Sequence, residues 1–277
     1  MINLEAPTPD PAGTLKLELI SCTPTSDARE TPVLFIHGAF GGAWCWAEHF
    51  LAYFARNGYA AHALSLRGHG ASDGHERLRW TSLSQYVDDV QQAVANLGVA
   101  PVIVGHSMGG MVLQKYLERA SVPAAVLMAS VPPDGLIYSS MWLAARDPLL
   151  YREMSLMQIG GPYFGTLDGG RRAIFSPDMP DALVARYYSR FQQESQRVLI
   201  DMCWFDLPRR QSMRRPPALV LGAECDALLP RVALESTARS FDTEAVVMPN
   251  MAHALMLELN WRLVADRVLA WLDEFKL

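Results

Sequence analysis

The chain has 277 residues, half of them hydrophobic, enough to bury a large core in one domain carrying an insertion. A formal net charge of -5 gives no positive field for nucleic acid or an anionic membrane, and no apolar stretch reaches the ~18 residues of a span. Cys22, Cys45, Cys203 and Cys225 are scattered without a C-x-x-C, so buried free thiols are expected and a zinc site or redox pair is not.

Residues 1–14 are acidic and proline-bearing, with no basic start and no apolar h-region, so a cytoplasmic protein is expected. Leu15, Leu17 and Leu19 then alternate with Lys16 and Glu18, which predicts a half-buried strand near a sheet edge. Residues 33–36, 59–64, 102–104, 124–128, 218–221 and 245–248 are short continuous apolar runs, as in strands of a parallel sheet buried on both faces. Helices are expected over 47–56, ending at Asn57-Gly58, over 82–97, over 111–117, and after Pro230 and Asn260. Regular alternation of strand and helix predicts an α/β fold, with helices on both faces of a mostly parallel sheet.

The alternation breaks over 132–215, which lacks a β-like run but is rich in methionine and aromatics. These include Trp142, Tyr151, Met154, Met157, Tyr163, Phe164, Tyr187, Tyr188, Phe191, Trp204 and Phe205. A helical insertion is expected, acting as a lid with an adaptable apolar wall, on a core made of 1–131 and 216–277. Arg209, Arg210, Arg214 and Arg215 close it, read as a solvated hinge, or alternatively as a grip for a phosphate-bearing acyl carrier.

Gly105-His106-Ser107-Met108-Gly109-Gly110 joins an apolar run to a helical segment. That order suits a nucleophile elbow, a strained turn that lifts one hydroxyl above a sheet. The serine is expected at positive φ, where side chains two positions to either side would collide with the turn and glycine would not. A serine hydroxyl is a poor nucleophile at neutral pH and needs an imidazole to take its proton and a carboxylate to hold that imidazole. Asp226 and His253 follow two later apolar runs, where loops at the carboxyl ends of strands meet. Glu224 and Asp134 are alternative acids. For His37, His69 and His106 structural hydrogen bonding is expected, for His49, His62 and His75 a surface or core place, and for Ser72 and Asp73 turn capping.

Together with His37-Gly38 and Arg67-Gly68-His69-Gly70-Ala71-Ser72, these features resemble the α/β-hydrolase family over nearly the whole chain, from about residue 15 to residue 277. The resemblance implies the α/β-hydrolase fold, Ser107 as nucleophile, His253 as general base and then acid, Asp226 as the residue that orients it, and the insertion as a cap. The short N-terminus departs from the family by lacking part of the usual opening hairpin. Oxyanion donors are expected from the backbone N–H of Met108 and of Ala39, with Phe40 as the alternative if the loop is shifted.

A serine at the elbow disfavours the family's dehalogenases and epoxide hydrolases, which use aspartate there. The family's hydroxynitrile lyases rely on a lysine beside the histidine, where this chain has Ala254. Its carbon–carbon bond hydrolases usually carry a Gly-Ser-Gly-Pro-Gly type loop, which is missing. The expected activity is hydrolysis of a carboxylic ester with a fairly apolar acyl or alcohol group through an acyl-Ser107, as in carboxylesterases and monoacylglycerol lipases. A thioesterase or lactonase with the same triad is the alternative, ahead of a carbon–carbon hydrolase or a non-catalytic ligand-binding protein. The partner is then a small-molecule ester or thioester, with no cofactor and no metal. Oligomeric state has no signature in the sequence.

Overall fold

A computed structural model describes residues 15–277; the acidic, proline-bearing residues 1–14 lie outside it. Strands β1 (Leu19–Cys22), β2 (Val33–Ile36), β3 (Ala61–Leu64), β4 (Val102–His106), β5 (Ala125–Met128), β6 (Ala218–Ala223) and β7 (Ala245–Met248) form one sheet. Its order is β1-β3-β2-β4-β5-β6-β7, parallel throughout except where β1 pairs antiparallel with β3. β2 to β5 are buried on both faces, which explains their unbroken apolar sequences.

Helices α1 (Trp44–Ala47), α2 (Phe50–Arg56), α3 (Leu83–Leu97) and α4 (Met108–Tyr116) connect the first five strands. Between β5 and β6 lie α5 (Ile137–Arg146), α6 (Pro148–Gly160), α7 (Leu167–Ile174), α8 (Asp181–Tyr188) and α9 (Gln196–Ile200), and no strand falls in that stretch. α10 (Arg231–Ser240) and α11 (Trp261–Glu274) complete the chain. One sheet face packs against α1, α2 and α11 through Phe35, Trp46, Phe50, Phe54 and Leu272. The other packs against α3, α4 and α10 through Ile36, Tyr86, Val90, Met111 and Leu234. Helices therefore cover both faces, as in the α/β-hydrolase fold.

Strand order positions the site. After β3 the winding reverses and β4 falls on the other side of β2, so the β2/β4 crevice is the topological switch point where open α/β sheets bind ligands. Pairing of Ile36 with Gly105 brings the loop after β2 beside the turn after β4. Pairing of Ala223 with Met248 does the same for the loops after β6 and β7.

Two elements differ from the sequence pattern. β1 begins only at Leu19, because the backbone ahead of it is held by a turn and not by a strand. Lys16 N–H donates to Asp73 Oδ2 (2.8 Å) and Glu18 N–H to Ser72 Oγ (2.8 Å), so Ser72 and Asp73, which also close their own turn through Ser65 O and Gly68 N–H, tie down a distant segment. The helix expected over 47–56 is broken at His49, at φ -138°, where the imidazole stacks on Trp261 with ring centroids 4.7 Å apart. The pull comes from Trp44, Cys45 and Trp46, which are buried and form a separate turn of helix ahead of the break.

Candidate active site

Ser107 sits between β4 and α4 at φ 51° and ψ -115°, a left-handed backbone that L-residues avoid. Its neighbours permit this because they are glycines. A Cβ on Gly105 would lie 2.5 Å from the Gly109 carbonyl oxygen, and one on Gly109 would lie 2.5 Å from the carbonyl oxygens of both Ile36 and His37. Gly110 would strike the Ser130 side chain, and a Cβ on Gly38 would lie 3.0 Å from Ser107 Cβ. Main-chain bonds hold the turn from both sides: Ser107 N–H donates to Met128 O at 3.0 Å, and Val131 N–H to Ser107 O at 3.1 Å.

His253 and Asp226 come from the loops after β7 and β6 and are bonded to each other. His253 Nδ1–H donates to Asp226 Oδ2 at 2.8 Å, and both side chains are almost fully buried. Asp226 Oδ1 accepts from Leu228 N–H at 2.8 Å and Leu229 N–H at 3.0 Å, so both carboxylate oxygens are engaged and the group is fixed in direction. With the proton on Nδ1, the lone pair of His253 is left on Nε2. The alternative acids are occupied elsewhere: Glu224 accepts from Asn250 N–H at 2.8 Å, and Asp134 holds Arg210 and Ser236.

Two other histidines, His106 and His37, brace this arrangement. His106 Nε2–H donates to the His253 carbonyl at 2.9 Å, tying the elbow to the histidine loop. His37 Nε2 accepts from Leu66 N–H at 3.1 Å, while its Nδ1–H donates to Gly38 O at 2.8 Å. Burial, aided by the neighbouring His253, pushes His106 down to about 3; burial, aided by His69, does the same to His37.

The loop after β2 separates the two candidate second oxyanion donors. Phe40 N–H, the alternative expected donor, is already given to Glu194 Oε2 at 3.2 Å. No acceptor among the described residues takes the N–H of Ala39 or of Met108. Ala39, Met108, Ser107 and His253 all line one cavity of about 510 Å³, walled mostly by apolar side chains.

Of the aromatics and methionines in 132–215, Met141, Tyr151, Met154, Met157, Phe191, Met202 and Trp204 line the cavity. Tyr187 instead joins the core, and Tyr163 and Phe164 face solvent. The sequence did not single out Leu136, Leu143, Leu229 or Met256 in the wall, nor Glu194 beneath it, because nothing in their local spacing marks which face they take. Among the thiols only Cys45 is buried; Cys225 is exposed, since the Asp226 loop stands above the sheet edge. Arg210 and Arg215 of the basic cluster are paired with Asp134 and Asp242. Among the described residues no three His, Cys, Asp or Glu side chains converge to hold a metal ion, and no helix is long and apolar enough to cross a membrane.

A sheet reversing at the β2/β4 crevice, a serine on a glycine-lined turn there, and an Asp–His pair on the last two loops define a recognisable architecture. Residues 33–267 match the Alpha/beta hydrolase family. The chain belongs to that family. Among relatives of this α/β hydrolase, a monoacylglycerol lipase of Mycolicibacterium smegmatis is 26% identical over 276 residues, 90% of either chain. Methyl jasmonate esterase 1 of Vitis vinifera is 30% identical over 112 residues, 39% of this chain and 42% of its own. A thermophilic esterase from Thermogutta terrifontis has the same fold, with a TM-score of 0.72 at 19% identity over 95% of either chain.

Two outcomes are expected of this α/β hydrolase. Gly109→Ala drives a methyl into two backbone carbonyls that cannot move aside, so a loss of about 3 kcal/mol or more is expected in denaturant unfolding. A change within 0.5 kcal/mol, an estimate of the usual surface effect, would contradict the packing.

The second concerns pH. His37 and His106 stay neutral in the fold below the ordinary histidine value of 6.5, whereas the unfolded chain takes up protons there. Stability therefore falls as pH drops from about 6.5 toward about 3, by up to roughly 1.4 kcal/mol per pH unit for each group. His69 is shifted the other way, so its contribution is fully present below 6.5 and does not offset this loss. The melting temperature should decline from pH 7 to pH 5 in scanning calorimetry; a flat or rising profile would count against it.

Proposed function

We propose that the protein hydrolyses carboxylic esters with a fairly apolar acyl or alcohol group, through an acyl-Ser107 intermediate. One observation carries the reading: a serine held at φ 51° opens into the same apolar cavity as a histidine already oriented by a buried aspartate. The esterase and lipase names of the relatives agree in reaction class. Residues 132–215 act as a cap on a core of residues 1–131 and 216–277, supplying the cavity wall that selects the substrate.

In the first step His253 Nε2 takes the Ser107 hydroxyl proton as Oγ attacks the ester carbonyl. The new oxyanion is met by the N–H groups of Ala39 and Met108, donors of a kind that supplies a few kcal/mol of transition-state stabilisation. Asp226 stabilises the imidazolium that forms without taking its proton. His253 then protonates the departing alcohol. Water, deprotonated by the same Nε2, attacks the acyl-serine; collapse releases the acid and returns the proton to Ser107.

The thioesterase alternative is weakened for carrier-bound acyl groups because Arg210 and Arg215, two of the cations that would grip a carrier phosphate, are already paired. A fluorophosphonate probe should label the wild type and fail on Ser107→Ala; a well-folded wild type that resists labelling would refute the acyl-enzyme mechanism. On a p-nitrophenyl ester, His253→Ala should lose on the order of 10⁶-fold in kcat. Glu224→Gln, altering a carboxylate bonded only to the histidine-loop backbone, should retain most activity. The reverse pattern would move the acid to Glu224.

A further inference from the structure

We propose that Glu194 is a positioning residue for the oxyanion hole: from within the inserted segment it grips the Phe40 peptide and so keeps the Ala39 N–H free over the cavity. The inference rests on the acyl-Ser107 reading and adds to it a residue outside the triad.

The loop after β2 supports itself only in part: Gly38 O accepts from His37 Nδ1–H at 2.8 Å and from Gly41 N–H at 3.3 Å, whereas the residue after Ala39 is held from outside. Phe40 lies at φ 64°, a left-handed conformation that a bulky L-residue does not adopt unaided. Both ends of its residue are held by one short stretch of the insertion. Phe40 N–H donates to Glu194 Oε2 at 3.2 Å, and Phe40 O accepts from Gln192 N–H at 3.0 Å. The Gln192 side chain also reaches the Gly-His-Gly turn, accepting from Gly70 N–H at 2.9 Å and donating to Gly68 O at 2.7 Å. Were the Phe40 peptide released, the left-handed turn would lose its anchors on the insertion, and the Ala39 peptide would be held only on its Gly38 carbonyl side and not on the side that follows it.

The Glu194 carboxylate is suited to hold this strain. It is buried, and four donors converge on it: His69 Nε2–H at 3.1 Å and Phe40 N–H on Oε2, Tyr86 O–H at 2.6 Å and Ser195 N–H at 2.7 Å on Oε1. His69 also directs Nδ1 at Arg67 O, 3.1 Å away, so both ring nitrogens face acceptors and the ring is an imidazolium. A buried charge is thus matched by an opposite one, with no lone pair left idle. Burial alone would raise the Glu194 carboxyl, but the charge and hydrogen bond of His69, with Tyr86 and Ser195, outweigh it and leave it below the usual range. Burial likewise lowers His69, and Glu194 outweighs that and raises it.

Glutamine at this position has a single oxygen and must turn its amide hydrogens toward either the Phe40 or the Ser195 N–H. Asp201 offers a matched control. It is a buried carboxylate of the same segment, bonded to Leu83 N–H (3.1 Å) and Arg197 Nε (2.7 Å), and it has no bond to the loop after β2.

The test compares wild type, Glu194→Gln and Asp201→Asn for ester turnover, binding of a trifluoromethyl ketone whose adduct oxygen occupies the oxyanion position, and thermal unfolding. Both variants should melt lower. Only Glu194→Gln should lose kcat, by about 10- to 100-fold with KM within about threefold, and weaken ketone binding in parallel with kcat/KM. Asp201→Asn should stay within about twofold in kcat, an effect too small for a lost oxyanion donor. Should Glu194→Gln fail to fold, Glu194→Asp keeps the charge facing His69 while withdrawing the carboxylate from Phe40, and the same kcat loss is expected.

Unchanged kcat in Glu194→Gln, equal losses in both variants, or a kcat loss without weaker ketone binding would overturn the proposal. None of these affects labelling of wild-type Ser107. Absence of that labelling would instead remove the acyl-enzyme reading on which the proposal stands.

Discussion

The arrangement depends on one backbone conformation, the left-handed Ser107 at the junction of β4 and α4. It is tolerated only because Gly38, Gly105, Gly109 and Gly110 let main chains approach to distances that a Cβ would forbid. With the turn in place, α4 starts directly over the central strand and the Met108 N–H is left at the helix N-terminus. β2 then lies close enough for its loop to line the same cavity. Strain at a junction of this kind persists where the surroundings over-determine it, here through bonds to Met128 and Val131 of the neighbouring strand and its loop.

A second level of organisation is electrostatic. Three buried carboxylates, Glu194, Asp201 and Glu258, stitch residues 132–215 to the sheet domain. Glu258 accepts from Ser176 N–H (2.7 Å) and Ser176 Oγ (2.7 Å) on the inserted side and from Ala252 N–H (3.2 Å) beside His253. Glu194 does the corresponding work beside Phe40, and Asp201 bonds the start of α3. The segment that walls the cavity is thereby coupled to the loops that carry Ala39 and His253. A wall of methionine and aromatic side chains on such anchors can vary in shape while Ser107 and His253 stay fixed.

Much of the sheet was legible because a strand buried on both faces needs an uninterrupted apolar run, and six such runs stand out between polar helices. That Ser107 and His253 would share a cavity, and that Asp226 and His253 would meet, at 2.8 Å, was legible in placement because each follows one of those runs. What escaped was decided by tertiary partners. The start of β1 depends on Ser72 and Asp73 some fifty residues away, at separations of 54 and 57. The engagement of the Phe40 N–H depends on Glu194, 154 residues later, an acid with no motif around it. Within the insertion, helical spacing alone did not separate Met154, in the cavity wall, from Tyr163, in solvent.

The most direct measurement of the central claim is the mass of the protein after rapid acid quench during turnover of a p-nitrophenyl ester, followed by peptide mapping. An increase equal to one acyl group is expected on the peptide that contains Ser107, absent in Ser107→Ala. Full turnover with no acyl adduct, or an adduct on any other residue, would contradict it.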